Sequence, residues 1–314
     1  MMENWADVVA DRIVGTSPLR KGGPGSPDAQ HRLCGTLLLL GAADTGKTTL
    51  MGALAERLAG RQPVALVDAD TGQSHIGPPT TVGWTLNEMR SGAPRAPDGV
   101  PKRGASRLGS PAGGIAFVGD VTPVGHLLQL LAALALCVEQ ARRAADVVLV
   151  DTPGLVTGGA ACSLWWTVQR LLRPERIVAI QRENEMGGLL GGLEAGMSAI
   201  EKVKSPAQLR RKSPEAREEH RRLLFEEYFQ DATDYPLSLK GLAMRSTQPM
   251  TPDGIVGRIA GLTDAAGQDL AIGVIKGWQQ RKAKMTVRAP ALDIARVRCL
   301  TVGNARIDIP LGWS

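Results

Sequence analysis

The segment GAADTGKTTL, from Gly41 to Leu50, fits the phosphate-binding pattern GxxxxGK[S/T] at every fixed position. Gly41, Ala42, Ala43, Asp44, Thr45 and Gly46 would form a loop whose backbone N–H groups point at phosphate oxygens, helped by the positive end of the helix that follows. In that arrangement Lys47 reaches the β- and γ-phosphates, the Thr48 hydroxyl ligates Mg²⁺, and Thr49 completes the cradle. A bound nucleoside triphosphate is expected. The open point is whether its terminal phosphate goes to water, to a partner switch or onto a substrate.

Two carboxylates follow in VDADTGQ. Asp68 and Asp70 occupy alternate positions at the end of an apolar run, so a strand would point them the same way. Carboxylates beside a phosphate loop suit metal coordination and activation of an attacking hydroxyl. The plainer alternative is that Asp68 caps a turn and Asp70 supports the metal indirectly. VLVDTPG at 148–154 resembles both a Walker B strand and the DxxG switch of GTPases, which makes Asp151 a candidate metal contact through water. A GTPase would carry NKxD or TKxD after the next strand, where this chain has RIVAIQRENE. Ala42 and Ala43 stand where MinD-type ATPases place an additional lysine.

A second basic element lies in KSPEAREEHRRLLFEEYF. Ser213 can cap a helix and Pro214 suits its first position. Arg217, Arg221, Phe225 and Phe229 then recur at four-residue spacing, giving one face with guanidinium groups in front and aromatic anchors behind. Such a helix can serve as a phosphoryl-transfer lid, or it can be a solvated face on which Glu218 pairs with Arg222. Spacing alone does not separate the two.

These residues need a scaffold. Apolar runs at GTLLLL, PVALVDAD, GIAFVGD, DVVLVDTPG and RIVAIQ alternate with helical segments, including 124–144 and one carrying Trp165 and Trp166. That alternation predicts an α/β fold: a P-loop parallel sheet flanked by helices. Three parts are expected: a flexible N-terminal segment over 1–30, a P-loop kinase domain over 31–235 with a lid at about 205–230, and a small C-terminal β-domain over 236–314. The stretch 71–114 is polar and Gly/Pro-rich, and SGAPRAPDGVPKRGASRLGSPAGG (91–114) within it reads as surface loop; 201–229 reads as helical, and AAGQD and GNA as turns in the β-domain.

The 314 residues are 43% apolar, enough for a full core, and the net charge of +6 leans toward an anionic partner such as nucleic acid. Cys34, Cys137, Cys162 and Cys299 show no CxxC pairing, so neither a zinc site nor a disulfide framework is indicated. No apolar run approaches the eighteen or so residues of a membrane span. The opening MMENWADVVADRIV is acidic before it is apolar, unlike a secretory signal, and a cytoplasmic location is expected.

Taken in order, GAADTGKT, DADTGQ, GDVTPVGH, VDTPGLVTG and the KSxxxRxxxRxxxFxxYF helix resemble the polynucleotide 5′-hydroxyl kinase family, in a short bacterial- or archaeal-like form. The resemblance implies ATP with Mg²⁺, and RNA or DNA 5′-OH ends as acceptors. It makes Lys47 and Thr48 the ATP and Mg²⁺ residues, Asp70 the activator of the hydroxyl, and Arg217, Arg221 and Arg222 the lid cations. It places Asp68 and Gln73 in the metal and substrate region and Thr80 and Trp84 near the terminal nucleotide, where Trp84 either stacks on a base or is a core tryptophan, and it assigns Thr122, Pro123 and His126 to a clasp on the substrate strand. Three departures stand out: a short segment before the first strand where mRNA-processing relatives have a β-domain, Asp151 in place of a common Asn, and Lys212 in place of a common Arg. Some family members are thought to be catalytically quiet ATP-binding scaffolds of RNA-processing complexes, and that is the alternative reading.

Overall fold

Leucine- and valine-rich runs unrelieved by polar residues are satisfied only when both faces of a strand are covered. In the computed structural model, which describes residues 2–16, 33–87 and 113–307, such runs build the centre of one long sheet. The chain begins with α1 (Met2–Gly15), then β1 (Gly35–Gly41), α2 (Lys47–Leu58), β2 (Val64–Asp68), β3 (Thr81–Leu86) and β4 (Gly113–Phe117). It continues through α3 (Leu127–Ala144), β5 (Val147–Asp151), α4 (Gly158–Leu172), β6 (Arg176–Gln181), α5 (Gly187–Glu194), β7 (Ala199–Lys204) and α6 (Pro214–Phe229). Strands β7, β6, β1, β5 and β2 lie side by side and parallel, followed by β3 and β4 in antiparallel pairing. One face packs on α3, α4 and α5 around the fully buried Trp165; the other packs on α1 and α2.

The tail adds β8 (Thr233–Ser238), β9 (Ala243–Ser246), α7 (Pro252–Ile255), β10 (Arg258–Thr263), β11 (Asp269–Gln279), β12 (Lys284–Ala289) and β13 (Cys299–Arg306). It extends the same sheet: β11 meets β4 at Asp269 and Ile115, and the Asp269 carboxylate accepts the Phe117 N–H at 2.7 Å. Strand β8 straddles the boundary expected at 235/236. The rear of α6 is seated on the tail, with Phe225 and Phe229 buried among Ile115, Ile259, Ile272 and Val274. No described helix is long and apolar enough to cross a membrane.

Four expectations change. Residues 2–15 form a helix against α2, with Ala6, Val9, Ala10 and Ile13 buried, rather than part of a flexible lead-in. TVGWTL, inside the polar stretch 71–114 where no strand was expected, is β3, because Val82 and Trp84 have core to enter. Residues 88–112 of that stretch lie outside the described residues. AIEKVK is an edge strand with Val203 its one buried residue, a charged pattern that protects an edge. GNA falls within β13, whereas AAGQD does make a turn, closed by Asp264 accepting the Ala266 and Gln268 N–H groups.

Candidate active site

Parallel strands deliver their C-terminal ends to one edge of the sheet, and ligands bind there. β1 ends at Gly41, β2 at Asp68 and β5 at Asp151, and the last two are in register. From Gly41 the chain enters the phosphate loop, where Asp44 (φ 58°) and Gly46 (φ 97°) take left-handed backbone. Lys47 is buried, and its Nζ donates to the Gly41 and Ala42 carbonyls at 3.0 Å each. Thr48 Oγ1 donates to Asp151 Oδ2 at 2.5 Å. A cleft of about 610 Å³ opens over this loop, within the range of small-ligand sites.

Asp68 and Asp70 do not point the same way. The strand ends at Asp68, and the chain turns so that the Asp70 N–H donates to Asp68 Oδ1 at 2.9 Å. Asp68 is wholly buried and also accepts the His75 and Ile76 N–H groups. Burial, with the neighbouring Asp151 charge, lifts its carboxyl to about 7. Asp68 therefore organises the 70–76 loop rather than touching a ligand. Asp70 lines the cleft, with Oδ1 held by the Gly72 and Gln73 N–H groups at 3.0 Å each. Asp151 is also raised by burial, while Lys47 and the Thr48 hydroxyl oppose the shift, and its Oδ1 is buried without a partner.

That orphaned oxygen and the Thr48 hydroxyl, with Asp70 beside them, fit a Mg²⁺ that shares its coordination with phosphate oxygens. Among the described residues no group of three or more His, Cys, Asp or Glu could hold a metal by itself.

Helix α6 contributes to the wall of the cleft. Ser213 accepts the Ala216 N–H at 3.2 Å and Pro214 takes the first position, as its sequence predicts. Arg217 and Arg221 line the cleft, together with Lys212. Arg217 Nη2 donates to Asp44 at 2.7 Å, and the Gln73 side chain donates to the Arg217 carbonyl at 3.2 Å. Thr122 and Pro123 also line the cleft.

Other candidates are placed elsewhere. Arg222 projects to solvent, where it pairs with Glu219 and Glu226. Trp84 is buried in the core, its Nε1 donating to Gln140 at 2.7 Å, and so is not free to stack on a base. Thr80 is buried with left-handed backbone (φ 73°), its carbonyl accepting the Val118 and Gly119 N–H groups. His126 is buried as well; its Nε2 lies 3.2 Å from both Asp120 and the Asn304 side chain, so it fixes the clasp to β13 rather than tracking a strand. Sequence reasoning missed Arg182, whose Nη2 donates to the Ala43 and Asp44 carbonyls. Its position just past β6, beside the phosphate-loop strand, was the available signal.

Residues 41–231 match the family model described as the mRNA cleavage and polyadenylation factor CLP1 P-loop. The chain is 25% identical to a protein of Pyrococcus furiosus named polyribonucleotide 5′-hydroxyl-kinase, over 86% of this chain and 87% of that one. A protein of the same name from Thermococcus kodakarensis is 26% identical over 87% and 88% of the two chains. Among solved structures, the wild-type Clp1p–Pcf11p complex gives a TM-score of 0.66 at 14% identity, covering 96% of this chain and 79% of that chain. This last likeness is one of fold.

Proposed function

Because the chain belongs to the CLP1 P-loop family, we propose that it is an ATP-dependent polynucleotide 5′-hydroxyl kinase that transfers the γ-phosphoryl group to the 5′-OH end of RNA or DNA. The observation that carries this reading is the pairing across one cleft of a cleft-facing carboxylate, Asp70, with a phosphate loop and two lid arginines. A hydrolase needs only water at the γ-phosphate. A carboxylate beneath a basic lid, facing a rim that can hold a strand, suits a hydroxyl acceptor.

Asp70 Oδ1 is occupied by two backbone N–H groups, which leaves Oδ2 to accept the proton of the 5′-hydroxyl. As that oxygen bonds to the γ-phosphorus, the bond to the β–γ bridging oxygen breaks and ADP leaves. Lys47 gives up its two loop carbonyls for the β- and γ-phosphate oxygens. Arg217 and Arg221 neutralise charge on the transferring group and help exclude water. Thr48 and Asp151 are the residues that would hold Mg²⁺, with Asp70 beside it as the base, and the ion would supply further neutralisation at the phosphates. Gln73, Thr122 and Pro123 are read as the acceptor-strand side of the cleft.

The test is transfer of labelled γ-phosphate from ATP to matched 5′-OH RNA and DNA oligonucleotides, with Lys47→Ala as control. Label on an oligonucleotide end that disappears in the variant is the expected result. ATP binding without transfer would instead favour a quiet scaffold. Arg217→Ala and Arg221→Ala are expected to lower turnover more than ATP affinity.

A further inference from the structure

The phosphate loop carries a carboxylate, which repels a triphosphate. Asp44 is nonetheless placed there in left-handed backbone, its side chain only 17% exposed. Its Oδ2 accepts two hydrogen bonds, both from the lid: the Lys212 backbone N–H at 3.0 Å and Arg217 Nη2 at 2.7 Å. Lys212 immediately precedes the cap Ser213, and Arg217 lies one turn into α6, so one loop oxygen grips the lid's entry at two points. Arg182 secures the same residue from the other side by donating to the Asp44 carbonyl at 2.6 Å. Arg217 lines the cleft, yet its Nε is buried without a partner. The guanidinium is held by one edge while further donors stay unused.

We infer that Asp44 is a positioning residue: it registers the lid on the phosphate loop and sets Arg217 so that its remaining donors address the phosphoryl group in transfer. A charge-assisted bond of this kind fixes orientation as well as distance, and small misplacements of transferring groups are expensive in rate. The inference rests on the kinase reading above, and its test has one arm that does not.

Asp44→Asn removes the charge and tolerates left-handed backbone. In steady-state transfer, kcat is expected to fall about tenfold or more, while KM for ATP stays unchanged or drops, since a negative charge has left the triphosphate's surroundings. In an Arg217→Ala background the same substitution should have no further effect. A rise in KM with kcat unchanged, or an equal loss of kcat with and without Arg217, overturns the inference. The second arm is amide hydrogen exchange of the ADP-bound protein without acceptor. Asp44→Asn should speed exchange at the Lys212 amide, and unchanged exchange there overturns the anchoring. If the wild-type protein transfers no phosphate, the kinase reading fails while this arm still judges the anchor.

Discussion

Gly154 closes the turn after β5, where the chain passes under the phosphate loop. A Cβ at this position would lie 2.6 Å from the Ala43 backbone nitrogen and 3.0 Å from its Cα and Cβ. Ordinary contacts involving carbon begin at about 3.5 Å, and two of these three neighbours are backbone atoms that cannot swing aside. Gly154→Ala must therefore displace the loop, or itself, by roughly 0.5–1 Å. A misplacement of about 1 Å is worth about 100-fold in rate, equivalent to about 2.7 kcal/mol. The overpacking also removes about 1–3 kcal/mol of stability. Gly159, in the first turn of α4, is the internal control, with nothing within 4 Å of its Cβ position and no left-handed φ. There the same substitution should leave transfer unchanged and favour the helix slightly. The assay is steady-state transfer to a 5′-OH oligonucleotide, run beside thermal unfolding of both variants. A kcat/KM within twofold of wild type for Gly154→Ala would refute the close-approach argument. An equal loss in Gly159→Ala would show that the segment, not the contact, is responsible.

Phe225→Ala empties part of the lid's seat among Ile259, Ile272 and Val274 and should cost about 3–5 kcal/mol in denaturant unfolding; a loss under about 1 kcal/mol would mean that α6 is not anchored there. Arg222→Ala should leave transfer within twofold of wild type, because its partners Glu219 and Glu226 lie on the solvent side; a loss matching that of Arg221→Ala would return Arg222 to the cleft. Asp68 holds its proton up to about pH 7 in the folded state against an ordinary value of 3.8, so the native state binds more protons than the unfolded one between those values. Its contribution to stability falls as pH rises from about 4 to 7, and Asp68→Asn should flatten the dependence of Tm on pH in that interval. Identical slopes for wild type and variant would refute the assignment.

Legibility followed locality. The phosphate loop, the central strands and the Ser213–Pro214 start of the lid were readable because each is encoded within a few consecutive residues. Arg217 and Arg221 separated from Arg222 only once the bulk of the tail fixed which face of α6 turns toward the cleft. Asp68 and Asp70 misled because alternation holds only while a strand continues, and this strand stops at Asp68 to make a turn. Trp84 and His126 could not be assigned from sequence, since their partners Gln140 and Asn304 are distant in the chain. The same distance hid Arg182, which meets the loop across 138 positions.

The seating of α6 also has a consequence for the order in which the protein is made. Ile259, Ile272 and Val274, which receive Phe225 and Phe229, leave the ribosome after the helix they receive, as does Asn304, which ties down the clasp. At about 5–20 residues per second, there is an interval of seconds in which the phosphate loop has been synthesised while its lid has nowhere to rest. A nascent chain in that interval can cradle a nucleotide without enclosing it, so competence to transfer phosphate should be acquired late, with the last strands of the sheet.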